Sequence, residues 1–136
     1  QLRIKNYLKQ KSKPDFREKA NSYRRKKTRE DLKFKLRTRL SSHINGILKK
    51  QKATKSKKFH DLLGCSLDIL KQHLESKFKK GMTWENHGLY GWHIDHIKPL
   101  SKFNLIEPEE QRRAFHYTNL QPLWAKDNLK KSNKYK

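Results

Sequence analysis

Large apolar residues recur along the chain with two different periods, and each period predicts a different element. Beyond Arg29, Leu32, Leu36, Leu40, Ile44, Ile47 and Leu48 follow one another at spacings of four, four, four, three and one. That is one face of an α-helix, with Lys33, Lys35, Arg37 and Arg39 off the stripe. Ser66 reads as the N-cap of a second helix from Leu67 to about Phe78. Its Leu67, Leu70, Leu74 and Phe78 fall at i, i+3, i+7 and i+11, and Gly81 stops it. After Gly88 the period shortens to two. Tyr90 to His96 predicts a short strand with Trp92 and Ile94 on one face and His93 and Asp95 on the other. Pro99 ends this unit. Residues 97–118 read as a long loop holding a short helix, with Pro108 in its first turn and Phe115 near its end. Residues 120–124 read as a second strand, in which Pro122 marks an amide side without a partner. A last helix runs from about 125–127 to Asn133 or Lys134.

The order helix, helix, strand, long loop, strand, helix defines an α+β fold. Its expected core is Leu70, Leu74, Phe78, Trp92, Ile94, Leu120 and Leu123. Before these elements, Gln1 to about Thr28 is polar, carries Pro14 and lacks a clean apolar stripe. It reads as a flexible or partly helical arm. The expected division is 1–58, the arm with its helix, and 59–136, the folded body. Residues 51–58 are a Lys/Ser/Thr-rich link. At 136 residues with 32% hydrophobic side chains, against the usual level of about 45–50%, the core must be small. The first residue is Gln rather than Met, which suggests a fragment or a processed product.

Charge sharpens the picture. The net charge is +22, and it is uneven: residues 1–60 hold 22 Lys and Arg against 4 acidic residues, residues 61–136 hold 13 against 9. Such an arm implies a polyanionic partner, most simply a nucleic acid. The candidate contacts are Arg24, Arg25, Lys26 and Lys27 in the arm and Arg37 and Arg39 on the following helix; a purely solubilising tail is the plain alternative. Tyr7, Phe16 and Tyr23 interleave the charges and are available to stack on bases. There is no long apolar run to serve as a membrane span or a secretory signal. The lone Cys65 excludes an internal disulfide and a multi-cysteine zinc cage. Between Gly81 and Ile97 there is no Lys or Arg at all, which suits a place that must hold a cation.

The chemistry-bearing residues are His93, Asp95, His96, Asn119 and Asn128. Phosphodiester cleavage needs a hard cation to neutralise charge, a base to activate water, and a frame to hold both. Asp95 supplies an anionic oxygen and Asn128 a neutral amide oxygen, a sparse ligand set that leaves room for water and phosphate around a Mg²⁺-like ion. His96 takes a proton near neutral pH if it keeps its ordinary value. His93 shares the strand face of Asp95 and is a third ligand, a phosphate contact or a structural residue. Lys131, three residues beyond Asn128, lies on the same helix face and reaches either a phosphate or solvent; Lys134 adds charge at the end.

The segments GWHIDHIKPLSKF (91–103) and FHYTNLQPLWAKDNLKKSNK (115–134) resemble those of the HNH endonucleases. Residues 62–88 look like the helical lead-in of the phage and mobile-element type. The resemblance spans roughly residues 60–134 and implies a ββα-metal core: two short strands and a helix around one divalent ion, Mg²⁺ or Mn²⁺. It implies that His96 is the general base, that Asp95 and Asn128 hold the metal, and that Asn119 is a non-ligand that ties the inter-strand loop and helps place His96. The last motif position, often His, is Asn128 here, giving an H-N-N variant. The zinc-stapling Cys pairs of some relatives are absent.

The expected function is therefore a metal-dependent endonuclease acting on double-stranded DNA and leaving 5′-phosphate and 3′-hydroxyl ends. A homodimer or a larger phage assembly is compatible, as are homing, restriction and packaging contexts. A bacterial or phage-infected cytoplasm is the natural compartment. The rival is a non-enzymatic basic nucleic-acid-binding protein with a vestigial site. Among the remaining histidines, His87 and His116 read as structural and His43, His60 and His73 as inert surface residues. Trp84 and Trp124 read as core, and Cys65 as a small buried residue.

Overall fold

The computed structural model describes residues 1–132 and 134, Pro14 by its backbone alone. The chain is α+β. It runs α1 (Leu2–Lys11), α2 (Pro14–Glu30), α3 (Leu32–Lys50), α4 (Phe59–Leu63), α5 (Leu67–Ser76), β1 (Trp92–His96), α6 (Pro108–Phe115), β2 (Leu120–Trp124) and α7 (Ala125–Lys131). No described helix is long and apolar enough to cross a membrane. The chain divides into two compact units, Gln1–Arg39 and Leu40–Lys136.

In the first unit the arm is helical. Proline fits the first turn of α2, where its missing N–H costs no hydrogen bond. The α1 helix buries nothing; Tyr7 meets Phe16 edge-on at 6.1 Å between ring centroids. Asp31 accepts from the Phe34 N–H at 3.1 Å and so caps the start of α3. Arg24, Arg25, Lys26, Arg37 and Arg39 are exposed, while Lys27 is half-buried with its ammonium 4.9 Å from the Phe34 ring centre.

The second unit holds the core. The Leu40, Ile44 and Leu48 stripe of α3 packs with Phe59, Leu62 and Leu63 of α4, Leu70 and Leu74 of α5, Phe115 of α6 and Leu120 of β2. Leu70, Leu74, Trp92, Leu120 and Leu123 are buried as the periodicity predicts, whereas Phe78 and Ile94 are only partly covered. Ser66 caps α5 by accepting from the Ile69 N–H at 3.2 Å, and this helix ends at Ser76, two residues short of the expected Phe78. The end expected for α7 falls beyond its last helical residue, Lys131; Asn133 lies outside the described residues.

The link 51–58 is firmly anchored. Gln51 donates to the carbonyls of Leu100 and Phe103 and accepts from the Leu105 N–H. Gln111, only 1% exposed, donates to the Thr54 and Leu105 carbonyls at 2.6 and 2.7 Å and accepts from Ser56. Full satisfaction is what lets a polar side chain sit so deep.

The two strands pair antiparallel, with Trp92 opposite Trp124, Asp95 opposite Gln121 and His96 opposite Leu120. The α7 helix follows β2 directly and contacts both strands. Before β1 the chain doubles back so tightly that a Cβ on Gly91 would collide with the Asn86 carbonyl, so only glycine fits there. Trp92 is fully buried among Phe78, Trp84 and His87, its Nε1 donating to the Thr83 carbonyl at 2.6 Å. This anchor fixes the strand from which the polar residues project.

Candidate functional site

Strand alternation turns His93 and Asp95 toward α7, and the first and last turns of α7 answer them. Asn128 donates Nδ2 to His93 Nδ1 at 3.0 Å, and Lys131 donates Nζ to Asp95 Oδ2 at 2.7 Å. The other ring nitrogen, Nε2 of His93, meets the Leu89 carbonyl at 3.1 Å. A carbonyl only accepts, so the proton is on Nε2 and Nδ1 is the acceptor for Asn128. His93 is thus engaged at both nitrogens. In this arrangement it orients the Asn128 amide rather than offering a lone pair to a cation, and the Asn128 amide oxygen is the atom left for other work.

Asp95 is 9% exposed. Its Oδ2 accepts twice, from Lys131 and, at 2.9 Å, from its cross-strand neighbour Gln121. Lys131 also donates to the His96 carbonyl at 2.6 Å. Asp95, His96, Asn128 and Lys131 line one cavity of about 270 Å³, together with His43, Ile47 and the turn at Pro99–Ser101. These four meet because α7 packs against β1.

His96 is 9% exposed and stacks on the His43 ring, centroids 5.5 Å apart. Burial, then the positive charge that His43 and Lys131 bring, lowers its pKa from the ordinary 6.5 to about 3. This corrects the expectation that it titrates near neutral pH: the charged ring would be desolvated, and the neighbouring charges that act on it are positive. His96 is neutral across the physiological range.

Asn119 lies apart from the cavity and braces the loop after β1. Its Oδ1 accepts from the Lys98 N–H at 2.9 Å, and its Nδ2 donates to the carbonyls of Lys98 and Ala114 at 3.1 and 3.0 Å. Its own carbonyl accepts from the Ile97 N–H at 2.8 Å. The backbone immediately after His96 is therefore held from the far end of the loop.

Two histidines set aside in the sequence reading carry contacts. His43 stacks on His96, and His73 Nε2 bonds the Leu120 carbonyl at 2.9 Å, joining α5 to β2. Neither contact has a local sequence signal. A larger hollow of about 980 Å³ is lined by Lys57, Lys58, His60, Asp61 and Cys65. Burial pushes the Cys65 thiol up, which makes it a poor nucleophile. Of the remaining candidate contacts, Lys134 is exposed.

Among the described residues, no group of three or more His, Cys, Asp and Glu side chains is placed to hold a metal ion. A closed cage of that kind is not what a Mg²⁺ ion requires; one or two carboxylates plus substrate oxygens suffice. A cationic ammonium already sits on Asp95 Oδ2, so the local chemistry accommodates positive charge at this oxygen.

No known protein-family profile matches the chain, and no solved structure matches it. It is similar to two proteins of Acanthamoeba polyphaga mimivirus. It is 37% identical to Uncharacterized protein L426 over 117 residues, 86% of this chain and 50% of that protein. It is 36% identical to Uncharacterized protein L246 over 94 residues, 69% of this chain and 38% of that protein. The chain thus spans half or less of the length of these relatives.

Proposed function

We propose that this chain is a divalent-metal-dependent DNA endonuclease of the HNH type, with a ββα-metal core formed by β1, β2 and α7. The observation that carries the reading is that a carboxylate, a side-chain amide and a neutral imidazole line one cavity: Asp95, Asn128 and His96. Sequence resemblance and spacing support it independently. The ion, one Mg²⁺ or Mn²⁺, would be held by Asp95 and Asn128 and would supply charge neutralisation at the phosphate.

The chain's own residues do the rest. His96 is neutral, the state an imidazole must be in to accept a proton from an attacking water, and the burial that keeps it neutral also makes it a weaker base than a free imidazole. Burial on β1 and the His43 ring fix its plane. His93 turns the amide of Asn128 so that its oxygen is available. Asn119 holds the backbone that follows His96. Arg24, Arg25, Lys26, Lys27, Arg37 and Arg39 engage duplex phosphates without reading sequence.

A second reading is a basic DNA-binding protein whose site is inactive. It draws on the Lys131–Asp95 ion pair, which satisfies the carboxylate with no metal at all. Conversion of supercoiled plasmid to nicked circles in Mg²⁺, and its loss in chelator, separates the two. Binding without cleavage in either Mg²⁺ or Mn²⁺ overturns the nuclease reading.

A further inference from the structure

Lys131 reaches from α7 to two oxygens of consecutive residues at the end of β1, Asp95 Oδ2 at 2.7 Å and the His96 carbonyl at 2.6 Å. The two side chains of the ion pair are 18% and 10% exposed. This is no solvated surface pair; it is enclosed, and its charges are weakly screened. Oδ2 also accepts from Gln121. A carboxylate oxygen has about two lone-pair directions, so Oδ2 has no capacity left for a further cation.

We infer that Lys131 is the resident counter-ion of the metal site: its ammonium holds Asp95 in the free protein and leaves it when a divalent ion binds. The inference rests on the reading of Asp95 as a metal ligand and adds regulation to it. A divalent ion on either oxygen of this carboxylate comes close to the ammonium, and in so enclosed a place the two cations repel strongly, so binding of the ion drives the ammonium off. The flexible four-carbon stem of lysine lets the ammonium move while α7 stays in place. A scissile phosphate, arriving with the nucleic acid, offers it a new anionic partner. Ion and duplex therefore bind with positive coupling, and the free protein binds divalent ions weakly. A merely structural ion pair makes a different prediction: removing it lowers stability and leaves metal affinity unchanged or weaker.

The test is calorimetric titration of Mn²⁺ alone into the full chain without DNA. Lys131→Met keeps the stem and loses the charge; Lys131→Gln is a second uncharged variant, and Lys131→Arg keeps the charge. The uncharged variants should bind Mn²⁺ about tenfold or more tightly than the parent, a coupling within the usual range, and the arginine variant should bind like the parent. In a His96→Ala background, which leaves the duplex intact, added duplex should raise Mn²⁺ affinity in the parent more than in Lys131→Met. Equal or weaker Mn²⁺ binding by natively folded uncharged variants overturns the inference and leaves the nuclease reading standing. Absence of Mn²⁺ binding in every variant, with or without duplex, overturns both.

Discussion

Asn128 and His93 are joined by a 3.0 Å hydrogen bond that runs from the first turn of α7 to β1. The bond fixes both partners: the imidazole proton is committed to Leu89, and the amide nitrogen to the imidazole. A side-chain amide free to flip would present nitrogen as often as oxygen to a cation, and nitrogen donors repel cations. His93→Ala should therefore weaken Mn²⁺ binding and cleavage together, by about 10–100-fold, the usual scale for a residue that orients a metal ligand. Titration calorimetry and plasmid nicking read this. An unchanged Mn²⁺ affinity would show that His93 does not set the Asn128 amide.

Asn119 makes three side-chain hydrogen bonds that tie residues 98 and 114 together. Asn119→Ala leaves the Lys98 N–H and two carbonyls without these partners and should cost about 1–3 kcal/mol of stability. Denaturant unfolding checks it; a loss under about 0.5 kcal/mol would mean that water replaces the clasp.

The buried His96 ties stability to pH. The unfolded chain binds the proton at the ordinary 6.5, the folded one only near 3. Between those values the unfolded state holds more protons, so stability falls as pH falls, by at most about 1.4 kcal/mol per pH unit for one group. His43 shifts in the same direction. In chelator, the parent should lose more stability between pH 7 and 5 than His96→Gln does. Parallel pH profiles for the two proteins would contradict the buried neutral ring.

The arm should act through charge. Replacing the exposed Arg24, Arg25 and Lys26 by Gln should weaken duplex binding evenly across sequences. It should also lower the slope of log affinity against log salt by about one unit per lost phosphate contact. An unchanged slope would place these residues away from the backbone.

Much of this architecture was legible because it is local. Ser66 announces α5, Pro108 opens α6, and the apolar–polar alternation from Trp92 to Asp95 marks β1; each is a signal carried by a few neighbouring residues. The α4 helix escaped because five residues, FHDLL, are too few to show a period. His43 is exposed, as its place off the apolar stripe implies, but its stacking on His96 had no sequence signal because His96 is distant along the chain and only the fold brings the rings together. The same holds for Lys131, whose place on a helix face suggested a phosphate or solvent. Its pairing with Asp95 depends on the angle at which α7 crosses β1, which no sequence pattern encodes. The depressed pKa of His96 likewise reflects burial by residues from three separate elements.

The most direct measurement compares the full chain with His96→Ala on supercoiled plasmid in Mg²⁺. The parent should produce nicked circles, and His96→Ala should cut about 10²–10⁴-fold more slowly while binding duplex with unchanged affinity. Cutting by His96→Ala at the parental rate would remove the imidazole from the chemistry and contradict the account.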